Sequence, residues 1–197
     1  MNKILNIFLI LLFLTPVSAW GGNFSEEEDF VEKFAGNAIM ILGNNQISKN
    51  EKNDQFTNLV MSAIDLNLIS QFVLSKTWKS ATDDQKERFI SAFKNYFINS
   101  YANKLDQYSG EKIIINGSEE AGKYVIVDTN IVRDGTDTLK INLKWRLLNK
   151  DGDIRIIDLN IEGISLVIAQ REEFQSFLIN NNDDLEALIE KIISVSD

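Results

Sequence analysis

The sequence predicts one α+β domain, in which helices pack on the apolar face of a twisted, four-stranded antiparallel sheet. Two observations lead to this fold class. Helical hydrophobic spacing dominates the first half and the last fifth of the 197 residues, whereas a two-residue alternation dominates the stretch between them. The chain also has a single proline and no repeat or low-complexity tract, so nothing in residues 20–197 marks a boundary between domains.

The first elements are predicted to be helices. Residues 25–28 have the capping-box pattern Ser-Glu-Glu-Glu, and apolar residues then recur at helical spacing to about Leu42. A second amphipathic helix is expected from about Asn50, and Asp65 is placed to begin a shorter one.

The longest predicted helix begins at a second capping box, residues 82–85, and ends at Ser109 and Gly110. Its aromatic and aliphatic side chains recur every four residues and therefore share one face. The members of this row are Phe89, Phe93, Phe97, Tyr101 and Leu105.

The hydrophobic period changes to two at residue 112, where the strands begin. Residues 112–116 and 124–133 are predicted strands, and residues 138–147 alternate strictly between polar and apolar side chains. This alternation is typical of an antiparallel strand with one buried and one solvated face. The Asp-Gly pair at 151–152 predicts a hairpin turn into a fourth strand, residues 154–161.

Two helices are expected after the strands. Gly163 interrupts the fourth strand, and Ser165 is placed to cap a helix that runs to about Leu178. Asp183, with Glu186 three residues later, is predicted to cap the last helix.

Composition excludes several kinds of chemistry. The chain has no histidine and no cysteine, which removes Ser-His-Asp triads, thiol nucleophiles, disulfides and the usual transition-metal ligands. The 29 acidic residues outnumber the 20 basic ones and give a net charge of −9, which disfavours nucleic acids and anionic membrane surfaces. We therefore expect no nucleic-acid partner and no thiolate or imidazole metal site, and an enzyme would have to use Asp, Glu, Lys, Ser or Tyr alone.

The first 19 residues have the order of a secretory signal peptide. Lys3 precedes a short apolar run, and small residues lead up to Ala19. The run is about 11 residues long, whereas a membrane-spanning helix needs about 20. We therefore expect cleavage after Ala19 and export of a single domain, residues 20–197. No cysteine follows the run, which argues against a lipid-anchored lipoprotein.

Two long, ordered blocks of sequence carry a family resemblance. Residues 76–111 contain the segments KTWKSAT and YSGE, and residues 145–174 contain WRL and IEGIS. Both blocks resemble the MlaC family, also called toluene-tolerance auxiliary proteins, and the resemblance extends over residues 29–192. It implies an MlaC-like fold, which is a cone of the NTF2-like kind.

The resemblance also implies a function. Members of the family are periplasmic proteins that shuttle glycerophospholipids between an outer-membrane lipoprotein-porin complex and an inner-membrane ABC transporter complex with an MCE-domain subunit. They maintain the lipid asymmetry of the outer membrane without a metal or nucleotide of their own. We therefore expect a non-enzymatic lipid carrier with no catalytic residue, no metal and no cofactor, and we expect it to be a monomer.

Such a carrier needs an apolar cavity, because hiding each methylene group from water is worth about 0.8 kcal/mol. The apolar face of the sheet and the phenylalanine row supply the lining, and Gly110 and Gly163 are candidate hinges. The candidate lipid-binding residues are Phe93, Phe97, Tyr101, Val125, Val127, Leu139, Ile141, Leu143, Trp145 and Leu166. Periodicity alone assigns the same residues to an ordinary hydrophobic core.

Two alternatives from other classes stay open at the level of the sequence. Tyr101 and Asp158 would form a proton-transfer pair in an isomerase-like enzyme with a cone-shaped pocket. A purely structural interaction protein would instead fill its pocket with its own side chains. For residues 162–165, a tight turn followed by a helix cap is a better interpretation than an acid beside a nucleophilic serine.

Overall fold

The computed structural model describes residues 24–102, 111–133 and 139–195; of Tyr101, Ala102 and Leu139 it describes the backbone alone. Within these residues the chain forms seven helices and five strands. The helices are α1 (Ser25–Gly43), α2 (Lys49–Ala63), α3 (Leu66–Leu74), α4 (Lys76–Ser80), α5 (Asp83–Ala102), α6 (Leu166–Asn180) and α7 (Leu185–Ser194). The strands are β1 (Lys112–Ala121), β2 (Tyr124–Arg133), β3 (Leu139–Lys150), β4 (Asp153–Ile161) and β5 (Ile164–Ser165).

The strands form one antiparallel sheet in the order of the sequence, which confirms the α+β prediction. The predicted number of four strands is wrong by one short element. After the turn at Gly163, the chain pairs two further residues with Asn160 and Ile161 before α6 begins. This pairing is β5, which is too short to leave a period in the sequence.

Two bulges disturb the alternation of the strands. The register of β1 and β2 shifts between Ile115 and Gly117, and β1 continues past the predicted end at Asn116. The register of β3 and β4 shifts between Arg146 and Leu147. Beyond that bulge the consecutive residues Leu147 and Leu148 are both buried.

Side-chain caps confirm three of the predicted helix starts. Thr82 and Gln85 form a reciprocal capping box, with the Gln85 N–H donating to Thr82 Oγ1 (3.2 Å) and the Thr82 N–H donating to Gln85 Oε1 (3.0 Å). Asp65 accepts from the Leu68 N–H at the start of α3, and Ser165 accepts from the Ile168 N–H at the start of α6.

Two predicted caps are wrong. Helix α1 already includes Ser25, so Phe24 is the N-cap residue and no side chain caps the helix. The acidic first turn bonds to the sheet instead: Glu27 accepts from Asn149 Nδ2 (2.8 Å) and Glu28 from Ser118 Oγ (2.6 Å). The last helix is capped by Asp184, one residue after the predicted position, because Asp183 lies in the left-handed turn before it.

Buried apolar residues form two clusters. One is built by α3, α5, α6 and α7 around Phe89, Phe93 and Phe174, whose rings are in contact. The other lies on the apolar face of the sheet, around Trp145 and Leu147, with Val31 of α1 against it. In the part of the chain that is described, no helix is both long and apolar enough to cross a membrane.

Candidate functional site

A cavity of about 790 Å³ lies between the apolar face of the sheet and the helices. Among the described residues, 18 of the 21 that line it are apolar, and the other three are charged. This volume is within the range of about 300–1,000 Å³ that ligand pockets occupy. A large apolar cavity with few polar groups is suited to a hydrocarbon ligand.

The sheet forms one wall of the cavity. Every strand from β1 to β4 contributes, because antiparallel register places alternate residues of neighbouring strands on the same face. The sheet residues of this wall are Ile113, Ile131, Ile141, Leu143, Trp145, Ile156, Leu159 and Ile161.

Helices form the opposite wall. Helix α1 is held over the sheet by the bonds of Glu27 and Glu28 described above, and its apolar face points into the cavity. Ala35 and Ala38 lie on this face, and their small side chains leave space between helix and sheet. The complete helical wall is Phe34, Ala35, Ala38, Ile39, Leu42, Phe56, Val60, Phe97 and Leu166, with Ile64 from the α2–α3 connection.

At one end of the cavity, which we call the floor, the lining residues are buried and the polar side-chain atoms are hydrogen-bonded within the protein. Leu143, Trp145 and Ile156 are at most 7% exposed there, and the ring of Phe34 meets Trp145 edge-on at 5.5 Å. The Trp145 indole N–H donates to Thr129 Oγ1 (3.0 Å), and that hydroxyl donates to the Leu143 carbonyl (2.8 Å). No polar atom of this Thr129–Trp145 pair needs a ligand as its partner.

The charged residues lie together at the other end of the cavity, which we call the mouth. Glu111 precedes β1, Lys112 begins that strand, and Arg133 ends β2 beside it. Arg133 Nη1 and Glu111 Oε1 form an ion pair at 3.3 Å. The mouth therefore presents charges of both signs to whatever occupies the cavity.

A smaller cavity of about 60 Å³ lies between α5, α6 and β4. It shares Phe97, Leu159 and Leu166 with the large cavity, and Phe93 lines it from the side of the helical cluster. Phe97 and Leu166 therefore lie where the large cavity meets the helical core.

Half of the candidate binding residues line the large cavity: Phe97, Ile141, Leu143, Trp145 and Leu166. Phe93 and Val127 are buried in the two core clusters, and Val125 packs against the sheet cluster. The side chains of Tyr101 and Leu139 and the hinge candidate Gly110 lie outside the described residues. Gly163 lies at the turn before β5, with a φ of 88°.

Most of the helical wall could not be identified from the sequence. Residues of α1 and α2, among them Phe34, Ile39 and Phe56, have the spacing of any amphipathic helix. The pair Ala35 and Ala38 on the apolar face of α1 was the available indication of a cavity. Small residues between large ones indicate either close helix packing or a gap.

Asp158 forms hydrogen bonds that hold the start of α6 in place. Its carboxylate accepts from Ser165 Oγ (2.6 Å) and from the Val167 N–H (3.1 Å), so it fixes the start of α6. This arrangement agrees with the interpretation of residues 162–165 as a turn and cap. The side chain of Tyr101, its partner in the enzyme alternative, lies outside the described residues, so that pair stays a prediction.

The opposite face of the sheet is polar. Asp128 accepts from the side chains of Asn116 (2.8 Å) and Asn142 (2.8 Å) and pairs with Lys144. The hydrogen bond from Asn116 is the main reason that the pKa of Asp128 lies below its usual value of 3.8. No cluster of His, Cys, Asp and Glu that would hold a metal ion occurs among the residues described.

Residues 32–194 match the family model described as "MlaC protein". The "Intermembrane phospholipid transport system binding protein MlaC" of Haemophilus influenzae is 27% identical over 138 residues, or 68% of this chain and 64% of the relative. The "Toluene tolerance protein ttg2D" of Pseudomonas putida is 23% identical over 70% of this chain and 64% of the relative. The match thus spans less than two thirds of either relative.

A solved structure has the same fold. It is the phospholipid-binding protein from Ralstonia solanacearum in complex with a phospholipid, and it superimposes with a TM-score of 0.66. The superposition covers 87% of this chain and 93% of the other, at 19% sequence identity. At that identity, the likeness establishes the fold.

Proposed function

Because the chain belongs to the MlaC family, we propose that it is a periplasmic carrier that binds glycerophospholipids and moves them between membranes. One observation of the structure supports this proposal above all. The cavity under α1 and α2 has a volume of about 790 Å³ and an apolar lining with charge confined to the mouth. That arrangement matches an amphiphile whose chains lie inside and whose polar end lies at the opening.

The solvent exposure of the lining favours a ligand over a core. Phe34, Ile39, Phe56, Phe97 and Ile141 are each only partly buried although they face inward. Apolar surface left in contact with water costs about 25 cal/mol per Å², and acyl chains would remove that cost. A structural protein without a ligand would be expected to close this space with larger side chains than Ala35 and Ala38.

We further propose that residues 1–19 are a signal peptide, removed after Ala19 during export, and that residues 20–197 act as a single domain and as a monomer. The charge and apolar pattern of the first residues supports this proposal. Sequencing the amino terminus of the protein from a periplasmic extract tests it. A terminus at Trp20 is expected, and retention of Met1 in that fraction would contradict it.

The proposed partners are an inner-membrane ABC transporter complex with an MCE-domain subunit and an outer-membrane lipoprotein-porin complex. Exchange with them would maintain outer-membrane lipid asymmetry. Release requires opening of the cavity, because burying roughly thirty methylenes at about 0.8 kcal/mol each would exceed any usable affinity. Gly163 is our candidate hinge, since α6 begins three residues later with Leu166, which lines the cavity.

The carrier function is tested by extracting the purified protein with organic solvent and identifying the extract by mass spectrometry. We expect glycerophospholipid in near-stoichiometric amount. Ala38→Trp would fill the cavity from α1 and should reduce the bound lipid several-fold with the thermal melt retained.

The matched control is Asn37→Trp, which places the same side chain on the exposed side of the same helix. This variant should carry as much lipid as the native protein. A small polar metabolite in place of lipid would favour the enzyme alternative, and an extract free of any ligand would favour the structural interaction protein.

A further inference from the structure

Phe97 of α5 lies between two apolar spaces. One is the large cavity of about 790 Å³, and the other is the small cavity of about 60 Å³ between α5, α6 and β4. Resting on the carrier function proposed above, we propose that Phe97 limits the length of the acyl chains that the protein accepts. Its ring is the wall at which a chain in the large cavity ends, and the small cavity is the space beyond that wall.

The small cavity and the charged mouth lie on opposite sides of the sheet. Glu111, Lys112 and Arg133 bring the charges to the side of β1 and β2, whereas β4 supplies the sheet residues of the small cavity. Strand β3 lies between β2 and β4 in the sheet. An acyl chain that crosses the large cavity from the mouth therefore ends on the β4 side, where Phe97 separates the two spaces.

The small cavity has the surface of a hydrocarbon site. Among the described residues, its lining is apolar except for Asp158 and Gln170. The Asp158 carboxylate accepts from Ser165 Oγ (2.6 Å) and the Val167 N–H (3.1 Å), and Gln170 Nε2 donates to Glu173 (3.0 Å). An apolar cavity whose few polar groups already have partners stays dry, so the ligand class that fits it is hydrocarbon.

Five residues line both cavities, and Phe97 has the largest side chain among them. The other four are Ile64, Ile156, Leu159 and Leu166. Phe97 is only partly buried, whereas Ile156 is 3% exposed and belongs to the sheet cluster. Replacing a large side chain by alanine leaves a space that its neighbours fill only in part. Phe97→Ala should therefore join the two cavities and extend the acyl space toward α6.

The test varies the acyl chain and holds the head group constant. Purified protein is incubated with vesicles of phosphatidylethanolamine and phosphatidylglycerol, each supplied equally with dipalmitoleoyl and dioleoyl chains, and is then separated and extracted. Mass spectrometry gives the ratio of dioleoyl to dipalmitoleoyl lipid on the protein for each head group. We expect Phe97→Ala to raise this ratio about fourfold over the native protein, because the longer chain then buries a methylene group that the Phe97 wall leaves in water.

Three further variants distinguish the small cavity from a general enlargement. Val167 lines the small cavity but not the large one, so adding Val167→Phe to Phe97→Ala refills the space and should restore the native ratio. Phe56→Ala removes the same ring from the α2 wall, which should change the amount of bound lipid but not the ratio. Phe97→Leu is a milder change that should raise the ratio in the same direction. A thermal melt checks the folding of every variant.

The outcomes separate this inference from the carrier function. If no lipid binds to the native protein, the carrier proposal fails and this inference fails with it. If lipid binds and neither Phe97 variant raises the ratio, or if both variants unfold, the chain-length inference alone is overturned. It is also overturned if Phe56→Ala raises the ratio as much as Phe97→Ala, or if the double variant keeps the gain, since the added space would then lie elsewhere.

Discussion

At the scale of single residues, Trp145 illustrates how an apolar cavity tolerates a polar atom. Its indole N–H is buried at the floor and needs an acceptor. Thr129, which is fully buried on the neighbouring strand, accepts that bond and donates its own proton to the Leu143 carbonyl. The floor thereby offers a ligand apolar surface without an unpaired donor.

Replacing Thr129 by valine should destabilise the fold by about 1–3 kcal/mol, because the Trp145 indole N–H is left buried and unpaired. Urea unfolding of the single variants Thr129→Val and Trp145→Phe and of the double variant measures the interaction. The double variant should be more stable than the sum of the single changes predicts, by about 1 kcal/mol. Additive losses would show that the hydrogen bond contributes nothing to stability.

The sequence predicted which face of the sheet is apolar better than it predicted which residues of that face line the cavity. The alternation of β3 correctly placed Ile141, Leu143 and Trp145 on one apolar face. Val127 has the same periodicity on the next strand, yet it is fully buried in the sheet cluster. Periodicity of two identifies a face, but position along the strand decides between core and cavity, and this depends on where a distant helix lies.

At the scale of elements, one face of the long helix α5 contributes both to the helical core and to the wall of the cavity. Phe89 and Phe93 stack at 5.6 Å within the helical cluster, whereas Phe97, one turn later, lines the cavity. The sequence showed a single uniform row. Phe89 and Phe93 pack against Phe174 of α6, whereas Phe97 borders both cavities. Tertiary packing decides which neighbours each ring meets, and no local pattern encodes it.

The wall formed by α1 and α2 could not be assigned from the sequence for a related reason. Both helices were predicted with nearly correct bounds, but amphipathic spacing does not say which surface a helix covers. Helix α1 is oriented by the bonds of Glu27 and Glu28 to Asn149 and Ser118, which are more than 80 residues away in sequence. In the sequence, the acidic first turn indicated only a capping box.

The turn between β4 and α6 makes an element-scale prediction. Gly163 has a φ of 88°, so Gly163→Ala forces an L-residue into a left-handed conformation and should lower the free energy of unfolding by about 1–2 kcal/mol. Gly36→Ala is the control, because Gly36 lies in α1 with open space around an added Cβ.

The control should stabilise the protein by roughly 0.5–1 kcal/mol through helix propensity. Chemical denaturation of both variants is the measurement. Equal effects of the two changes would show that backbone conformation at Gly163 does not limit stability.

At the scale of the whole molecule, the densely packed helical core and the cavity occupy different parts of the fold. The helical cluster of α3, α5, α6 and α7 is densely buried, with Phe89, Leu178 and Ile189 all fully covered. The sheet cluster closes one end of the cavity, whereas the wall residues Ile39, Phe56 and Ile141 are only partly buried and the mouth carries the charged residues. A protein built in this way would keep its hydrophobic core with or without the proposed lipid.

Because the core and the cavity occupy different parts of the fold, substitution by aspartate should have opposite effects at two positions on the apolar face of the sheet. Val127→Asp buries an unpaired carboxylate in the sheet cluster, which should cost several kcal/mol and abolish the cooperative melt. Ile141→Asp places the same group on the partly exposed cavity wall, where water can reach it once the lipid has left.

We therefore expect the Ile141→Asp protein to melt cooperatively and to carry little lipid, as measured by calorimetry and by mass spectrometry of the extract. Ile141 is chosen over Leu143 because Leu143, 7% exposed, belongs to the floor, where a charge perturbs the core as well. Unfolding of both aspartate variants would mean that residue 141 belongs to a closed core, since a charge is tolerated only where water can replace a ligand.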